Sequence, residues 1–466
     1  MSVEVVRKDP SDHPSCTHGP TLLFLKHVGS SKERFYACSA CRSRKDCSFY
    51  LPESNIRKYN KNKWKERQKQ FVSAVNHHDK LAVLREIRSL PSQQRLLCYS
   101  CDTLLKISEK GKHDGHSLLE TISDHQLDHP LEILPALEQD EKEAQYLFSQ
   151  ASVDTIVSIF KNLGLSNIIC IGTPKIHEHI QNNCEDMSSI LLDFDKRFHN
   201  FYPPTQFGWY NLFNHHFFLQ EAKEVFEEYL KLHSFSNVTL IMDPPFGGRL
   251  EPISISLETI SKSLQKYHGE EHNLLIFLIL PYFMEPHVSN YIPELKICDY
   301  KVEYKNHSDF QNGPEGKKYG SIVRIFTNAE LSLVKLPEYG YKYCKPCNKW
   351  VSKENTHCAK CNNCTSKNGS TYKHCSLCKR CVKSTWQHCK QCKRCALVDH
   401  TCKELEFTRK CFHCQGEGHK RAQCPLLLCS EISDAEMRTK GGKRKRKDTS
   451  EIGTKRKKRT KKMRKS

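Results

Sequence analysis

The sequence predicts an α/β fold: one doubly wound domain with several small zinc-binding modules at both ends. Between residues 130 and 336, strand-sized apolar runs alternate with helical patterns, at Asn167 to Ile171, Ser189 to Asp193, Val238 to Met242, Leu274 to Leu280 and Ile322 to Phe326. Strands alternating with helices build a largely parallel sheet, and ~200 residues suffice for one such domain. Of the 25 cysteines only three fall in this stretch. Six precede residue 105 and fifteen lie between Cys344 and Cys424, interleaved with histidines at short spacings. That pattern favours zinc over disulfides.

At 466 residues the chain has room for several domains but only this one large core. Its longest apolar run is strand-sized, so no membrane span is expected. The start, MSVEVVRKDP, has no apolar stretch behind a positive beginning, and no secretory signal is expected. Of the formal net charge of +20, the segment Arg438 to Ser466 carries +14, from 16 Lys/Arg and 2 Asp/Glu. Such a tail buries nothing apolar and is expected to be disordered, with nuclear import and phosphate attraction as its use.

Composition divides the chain into residues 1–60, a Cys/His/aromatic module; 61–129, a helical linker with a second Cys/His group; 130–336, the α/β domain; 337–405, a Cys/His-rich block; 406–429, a knuckle; and 430–466, the basic tail. In the first, Cys16, His18, Cys38 and Cys47 are the expected ligands, with Cys41 as competitor. A module this small draws its folding energy from the metal. The pattern resembles the GRF-type zinc finger, with Glu33-Arg34-Phe35 where that family has Gly-Arg-Phe. The resemblance implies single-strand binding, in which Arg34, Phe35 and Tyr36 pair and stack. The other role for the module is a brace on its neighbour.

Lys61 to Leu90 read as one basic helical stretch, with Leu81, Leu84, Ile87 and Leu90 at helical spacing. Cys98, Cys101, His113 and His116 follow in C2H2 order with a His spacing below the usual three to five; zinc is expected there, and sequence reading is not, since a lone finger covers only ~3 base pairs. In the Cys-rich block, His357-Cys358-x2-Cys361-x2-Cys364 recurs as His374-Cys375-x2-Cys378-x2-Cys381 and as His388-Cys389-x2-Cys392-x2-Cys395. With Cys344, Cys347, His400 and Cys402 the ligands suffice for up to four tetrahedral sites, and their pairing stays open. The block looks like the cysteine-rich domain of DHHC palmitoyltransferases. Thr401 replaces their second His and the membrane helices are lacking, so acyl transfer is rejected and zinc scaffolding retained. Cys411-x2-Cys414-x4-His419-x4-Cys424 matches the zinc knuckle of retroviral nucleocapsids, which implies single-stranded RNA as partner.

The catalytic candidate follows the strand Val238 to Met242: Asp243, Pro244, Pro245 and Phe246, then Gly247-Gly248. An acid at the carboxyl edge of an open α/β sheet stands where such folds place ligand chemistry. Asp-Pro-Pro-Phe resembles the [DNS]-P-P-[YFW] motif of S-adenosylmethionine-dependent amino methyltransferases, which implies a Rossmann-like class I methyltransferase domain. An exocyclic amine is a poor nucleophile because its lone pair is delocalised into the ring. If Asp243 and the Pro244 carbonyl accept its two N–H hydrogens, the lone pair is freed for attack on the sulfonium methyl, with Phe246 stacked on the flipped base.

For the cofactor, Gly172, Thr173 and Pro174 follow the first strand, and Asp193, with Asp195 as rival, is placed to grip ribose hydroxyls. Gln145, Tyr146, Leu147 and Phe148 upstream, and Phe207, Tyr210 and Asn211 downstream, are candidates to close over it; core packing is the other reading of these aromatics.

The modules in this order resemble the CCHC zinc-finger adenine-N6 methyltransferases of large-subunit ribosomal RNA. The resemblance implies ribosomal RNA as substrate and partner, N6-methyladenosine as product, and a nuclear and nucleolar address beside a cytoplasmic one. A lysine or glutamine methyltransferase and a non-catalytic RNA-binding adaptor are the competing readings.

Overall fold

The computed structural model describes residues 3–402 apart from 29–30, 42, 74, 138–144, 234–236, 270–272 and 308–319. The knuckle ligands Cys411, Cys414, His419 and Cys424 and the basic tail lie outside the described residues. The chain forms two compact units, Met1–Val398 and Asp399–Ser466, and only residues 399–402 of the second are described.

The centre of the first unit is built from α1 (Gln150–Asn162), β1 (Asn167–Ile171), α2 (Pro174–Asn183), β2 (Ser188–Asp193), β3 (Phe207–Asn211), α3 (Gln220–Leu232), β4 (Val238–Met242), α4 (Leu250–His268), β5 (Leu275–Pro281), β6 (Lys296–Cys298) and β7 (Val323–Thr327). The strands lie in the order β3-β2-β1-β4-β5-β7-β6, with His216–Phe217 added beyond β3. β3 through β5 run parallel, whereas β7 is antiparallel to both neighbours. Runs such as Ile168-Ile169-Cys170-Ile171 form central strands because both faces are covered: Ile168 and Cys170 join one buried cluster, Ile169 and Ile171 the other. α1 supplies Val153, Ile156, Val157 and Phe160 to the first layer, and α4 supplies Ile253, Leu257, Ile260 and Leu264 to the second.

Two sequence expectations are corrected. Lys61 to Leu90 is two helices, Lys61–Ser73 and His77–Ser89. Asn76 starts the second by accepting from the backbone N–H groups of His78 and Asp79, and that polar cap interrupts a run which periodicity alone would continue. The segment around Phe207 is the third strand of the sheet, buried at every position of β3; of the two readings of its aromatics, core packing holds and closure over a cofactor does not.

The N-terminal module is a four-stranded sheet, Val3–Val5, Leu22–Val28, Ser31–Ala37 and Tyr50–Pro52, clasped to the β3 edge. Asn211 Nδ2 donates to the His18 carbonyl at 3.0 Å and to Ser39 Oγ at 2.9 Å. Asn214 Nδ2 donates to the carbonyls of His18 at 3.1 Å and Pro20 at 2.7 Å. Gly19, at φ +94, presses on His216 so closely that a Cβ would fall 2.4 Å from its ring. At the opposite edge, Asp299 accepts from the Ser352 N–H and from Asn355 Nδ2, both at 2.9 Å, and so ties the start of the Cys-rich block to the sheet. The buried Arg324 stands behind it, with Nε 3.8 Å from Asp299.

Because the Asn214 amide holds the Pro20 carbonyl and shares the His18 carbonyl with Asn211, Asn214→Ala is expected to cost about 1–3 kcal/mol. Denaturant unfolding of the zinc-loaded chain measures this, and an unchanged midpoint would contradict the clasp.

Candidate active site and metal centres

Strand register lines up the site. Ile171 pairs with Leu192 on one side and Met242 on the other, so Gly172, Asp193 and Asp243 stand in a row at the carboxyl edge. The Gly172 N–H donates to the Leu192 carbonyl and the Asp243 N–H to the Ile171 carbonyl, both at 3.1 Å. Gly172 has φ +61, and a Cβ there would sit 3.1 Å from the Asp243 carbonyl oxygen. The single glycine is therefore required by close approach to the Asp243 backbone. Thr173 and Pro174 then open α2, with Pro174, which has no N–H, at its first position and the Ile176 N–H bonded back to the Thr173 carbonyl at 3.1 Å.

Asp243 is half-buried. Burial pushes its carboxyl well above the usual carboxylate range, and a hydrogen bond from Tyr304 works against that shift. The Tyr304 hydroxyl donates to both carboxylate oxygens at 3.0 Å. Around this pair stand Tyr146, whose ring lies 5.7 Å from that of Tyr304, and Phe246, 6.1 Å from each. Phe148 lies 5.2 Å from Tyr304 and is itself core.

The segment of Gln145, Tyr146, Leu147 and Phe148 arrives here by pairing with the chain from Glu303 to Asn306. Lys305 N–H donates to the Leu147 carbonyl, Leu147 N–H to Asn306 Oδ1, and Asn306 Nδ2 to the Gln145 carbonyl. Sequence reasoning missed Tyr304, which lies far from the motif in the chain; the neighbouring alternation Tyr300, Val302, Tyr304 was the available signal.

At the cofactor side the rivalry between acids is resolved geometrically. Asp195 is taken by Arg197, whose Nε and Nη2 reach its oxygens at 2.7–3.0 Å. Asp193 accepts from backbone N–H groups, that of Asp195 at 2.9 Å and that of Phe194, and remains half-buried at the end of β2. Burial, with the Asp195 charge adding to it, pushes its carboxyl up to about 7. The next residue, Phe194, is 44% exposed and offers an apolar face at the same edge, which the sequence analysis did not single out.

Three downstream candidates are corrected. Phe207 is fully buried, packed edge-on against His199 at 4.8 Å, and belongs to the core. Tyr210 is buried with its hydroxyl on His215. Asn211 is spent on the clasp described above. Strand alternation in a sheet covered on both faces leaves none of them free to close over a ligand.

A ribose hydroxyl donates to a charged carboxylate, so affinity for S-adenosylmethionine is expected to fall as pH drops through about 7, where Asp193 takes up its proton. The loss approaches tenfold per unit below that point and disappears in Asp193→Ala. Calorimetric titration against pH measures it.

The structure also gathers sulfur and nitrogen ligands into sets whose donor atoms lie within 4.8 Å of one another. Cys16, His18, Cys38 and Cys47 form one; Cys41 stands beside it, its N–H donating to Cys38 Sγ at 3.3 Å. Cys98, Cys101, His113 and His116 form another, on a three-stranded sheet with His113 ending a 3-10 turn, so no recognition helix is present there.

The Cys-rich block interleaves. Cys344 and Cys347 meet His357 and Cys364; Cys358 and Cys361 meet His374 and Cys381; Cys375 and Cys378 meet His388 and Cys395. Each repeat thus gives its His and last Cys to one site and its first two Cys to the next. The Cys347–Cys364, Cys361–Cys381 and Cys378–Cys395 sulfur separations of 3.8, 3.7 and 3.5 Å match the ~3.8 Å edge of a tetrahedron built on ~2.3 Å zinc–sulfur bonds. Cys389 and Cys392 begin a further step of the pattern; in the second unit His400 Nε2 lies 3.6 Å from Cys402 Sγ.

Interleaving makes a specific prediction. Replacing Cys344 and Cys364 together by Ser removes one metal equivalent, whereas replacing the sequence neighbours Cys361 and Cys364 removes two. Elemental analysis of the purified variants distinguishes this from sequence-local sites.

A groove of about 550 Å³ runs between the N-terminal module and the loop after Asp243, lined by Phe24, Phe35, Arg44 and Tyr50 on one side and Gly247, Gly248 and Arg249 on the other. Phe24 and Phe35 are stacked at 5.4 Å and Arg44 lies 4.1 Å over Tyr50. Tyr36, expected to stack on a strand, is instead buried beneath the sheet, because strand alternation turns it inward when Phe35 turns out. Arg34 is paired with Glu53 at 3.2 Å.

A parallel sheet with a reversed seventh strand, a glycine turn, an acid ending β2 and Asp-Pro-Pro-Phe ending β4 define an S-adenosylmethionine-type amino methyltransferase fold. In agreement, a family model described as "Probable N6-adenine methyltransferase" matches residues 139–330. The chain is 38% identical over 441 residues to the rRNA N(6)-adenosine-methyltransferase ZCCHC4 of Homo sapiens, covering 91% of this chain and 85% of that one. It is 43% identical over 429 residues to the protein of that name from Xenopus laevis, covering 90% and 87%. With that from Mus musculus it shares 43% over 436 residues, covering 89% and 83%. The chain belongs to the rRNA N(6)-adenosine-methyltransferase ZCCHC4 family.

Proposed function

We propose that this chain transfers a methyl group from S-adenosylmethionine to N6 of an adenosine in large-subunit ribosomal RNA. The observation that carries this reading is Asp243, half-buried at the sheet edge, level with Gly172 and Asp193 and walled by Tyr146, Phe246 and Tyr304. Asp193 holds the ribose, and Gly172 with the start of α2 bounds the rest of the cofactor seat. When bound, the cofactor supplies a methyl group on a positively charged sulfur. Asp243 and the Pro244 carbonyl accept the two N–H hydrogens of the amino group, which turns its lone pair toward that methyl. The new N–C bond forms as the S–C bond breaks, a neutral thioether remains, and the extra proton on nitrogen leaves to solvent. Phe246 stacks on the displaced base.

The aromatic, arginine-lined groove beside the loop supports a single-stranded or looped RNA as the partner, since bases stack on such rings while the backbone meets arginine. It also weighs against a peptide acceptor. We take the Cys/His sets to hold zinc, on their all-thiolate and imidazole donors and tetrahedral spacing. The knuckle motif and the +14 tail favour RNA binding and a nuclear, nucleolar address.

Asp243→Ala should lower methyl transfer to ribosomal RNA by about a thousandfold or more without changing cofactor affinity by more than about twofold. Mass spectrometry of nucleosides and of peptides after reaction reads both product and acceptor. Methylated peptide with unmethylated RNA, or an undiminished Asp243→Ala enzyme, would overturn the reading.

A further inference from the structure

We propose that Tyr304 is the positioning residue of the methyl-transfer site: its hydroxyl, bound to both oxygens of Asp243, keeps the carboxylate charged and its outward lone pairs aimed at the entering amino group. The proposal rests on the adenine-N6 reading above and adds a residue that lies 61 positions from Asp243 in the chain.

The need for such a residue follows from the site's own chemistry. An amino group held by its hydrogens requires an acceptor, and a carboxyl group that has taken up a proton loses acceptor capacity and becomes a donor. Asp243 stands where burial favours that neutral form. A donor that bonds the charged form opposes the loss, and Tyr304 is so placed, at 3.0 Å from each oxygen.

The titratable neighbours described around the pair are Tyr304 itself, Tyr146, and His307 behind Tyr146 at 4.8 Å; the adjoining Gly172 turn brings backbone only. Among the described residues no lysine or arginine side chain bonds to Asp243, so a neutral phenol does what a cation does elsewhere. Burial and the neighbouring carboxylate push the Tyr304 phenol well above its ordinary value, which keeps it a donor across the working pH range.

The phenol is also held still. Tyr304 is fully buried, its backbone bridges to Phe148, and the rings of Phe148, Tyr146 and Phe246 enclose it. A hydroxyl fixed in this way costs little further entropy to bond, and it fixes the carboxylate plane in turn.

The test uses the full-length, zinc-loaded chain and Tyr304→Phe, which keeps the ring and its packing. Activity requires the charged carboxylate, so it is lost as pH falls through the Asp243 pKa, and removing the donor raises that pKa. The variant should therefore lose about 10–100-fold in kcat near neutrality, keep its KM for ribosomal RNA within about twofold, and show the acidic limb of kcat moved upward by about one pH unit. Loss of packing alone would lower kcat equally at all pH values, and an unmoved limb overturns the proposal.

A readout independent of turnover is the 13C-carboxyl NMR titration of Asp243, assigned by its absence in Asp243→Asn. Its midpoint should rise in Tyr304→Phe, and an unchanged midpoint also overturns the proposal. If the midpoint rises but the wild-type chain methylates no RNA adenine, the function proposed above fails while the Tyr304–Asp243 coupling stands.

Discussion

The site depends on two parallel strands lying side by side. β1 and β4 are neighbours in space although two α-helices and three strands separate them in the chain, and their ends are joined by the 3.1 Å bond from the Asp243 N–H to the Ile171 carbonyl. That contact puts the Gly172 turn, the proposed edge of the cofactor seat, against the backbone of Asp243, the proposed acceptor of the amine. Donor and acceptor chemistry must meet within a few ångströms, and a parallel register achieves this with backbone groups that cannot drift. A side chain at residue 172 would push against the same carbonyl, so the turn's sequence and the site's geometry express one constraint.

Around this centre the smaller modules solve a different physical problem. Each is small, and each gathers in place of a large apolar core a Cys/His set that could hold a metal ion. Interleaving in the Cys-rich block has a further consequence: every repeat is held by two sites, so adjacent sites share structure and order propagates along the block. Anchoring differs at the two ends of the sheet. Asn211 and Asn214 grip backbone carbonyls of the first module, whereas Asp299 takes the Ser352 N–H and the Asn355 amide of the Cys-rich block. The first of these clasps positions an aromatic groove directly beside Gly247–Arg249.

Much of this was legible in the chain. The runs ending at Ile171, Asp193 and Met242 correspond to β1, β2 and β4 because strands covered on both faces are continuously apolar and cannot be mistaken for amphipathic helix. The ligand residues were legible because zinc accepts few side-chain types at short spacing. What escaped was everything governed by alternation or by distance. For Phe207 and Tyr210 lid and core stayed open, and Asn211 counted as a candidate for the lid, because composition does not say which face a residue takes; Tyr36 was assigned to the surface for the same reason. The break at Asn76 lay hidden inside a helical periodicity, since a cap is one side chain bonding two N–H groups and leaves no periodic trace.

The amino-acid sequence by itself determined the α/β class and marked out Asp-Pro-Pro-Phe and the Cys/His sets as candidates, since each is written in residue types a few positions apart. Only the tertiary structure decided which cysteine meets which histidine, that Asp193 rather than Asp195 is free to face a ligand, and that Tyr304 bonds Asp243. Those facts depend on how strands order and which way side chains turn once both faces of the sheet are buried. Spacing along a chain carries no such information.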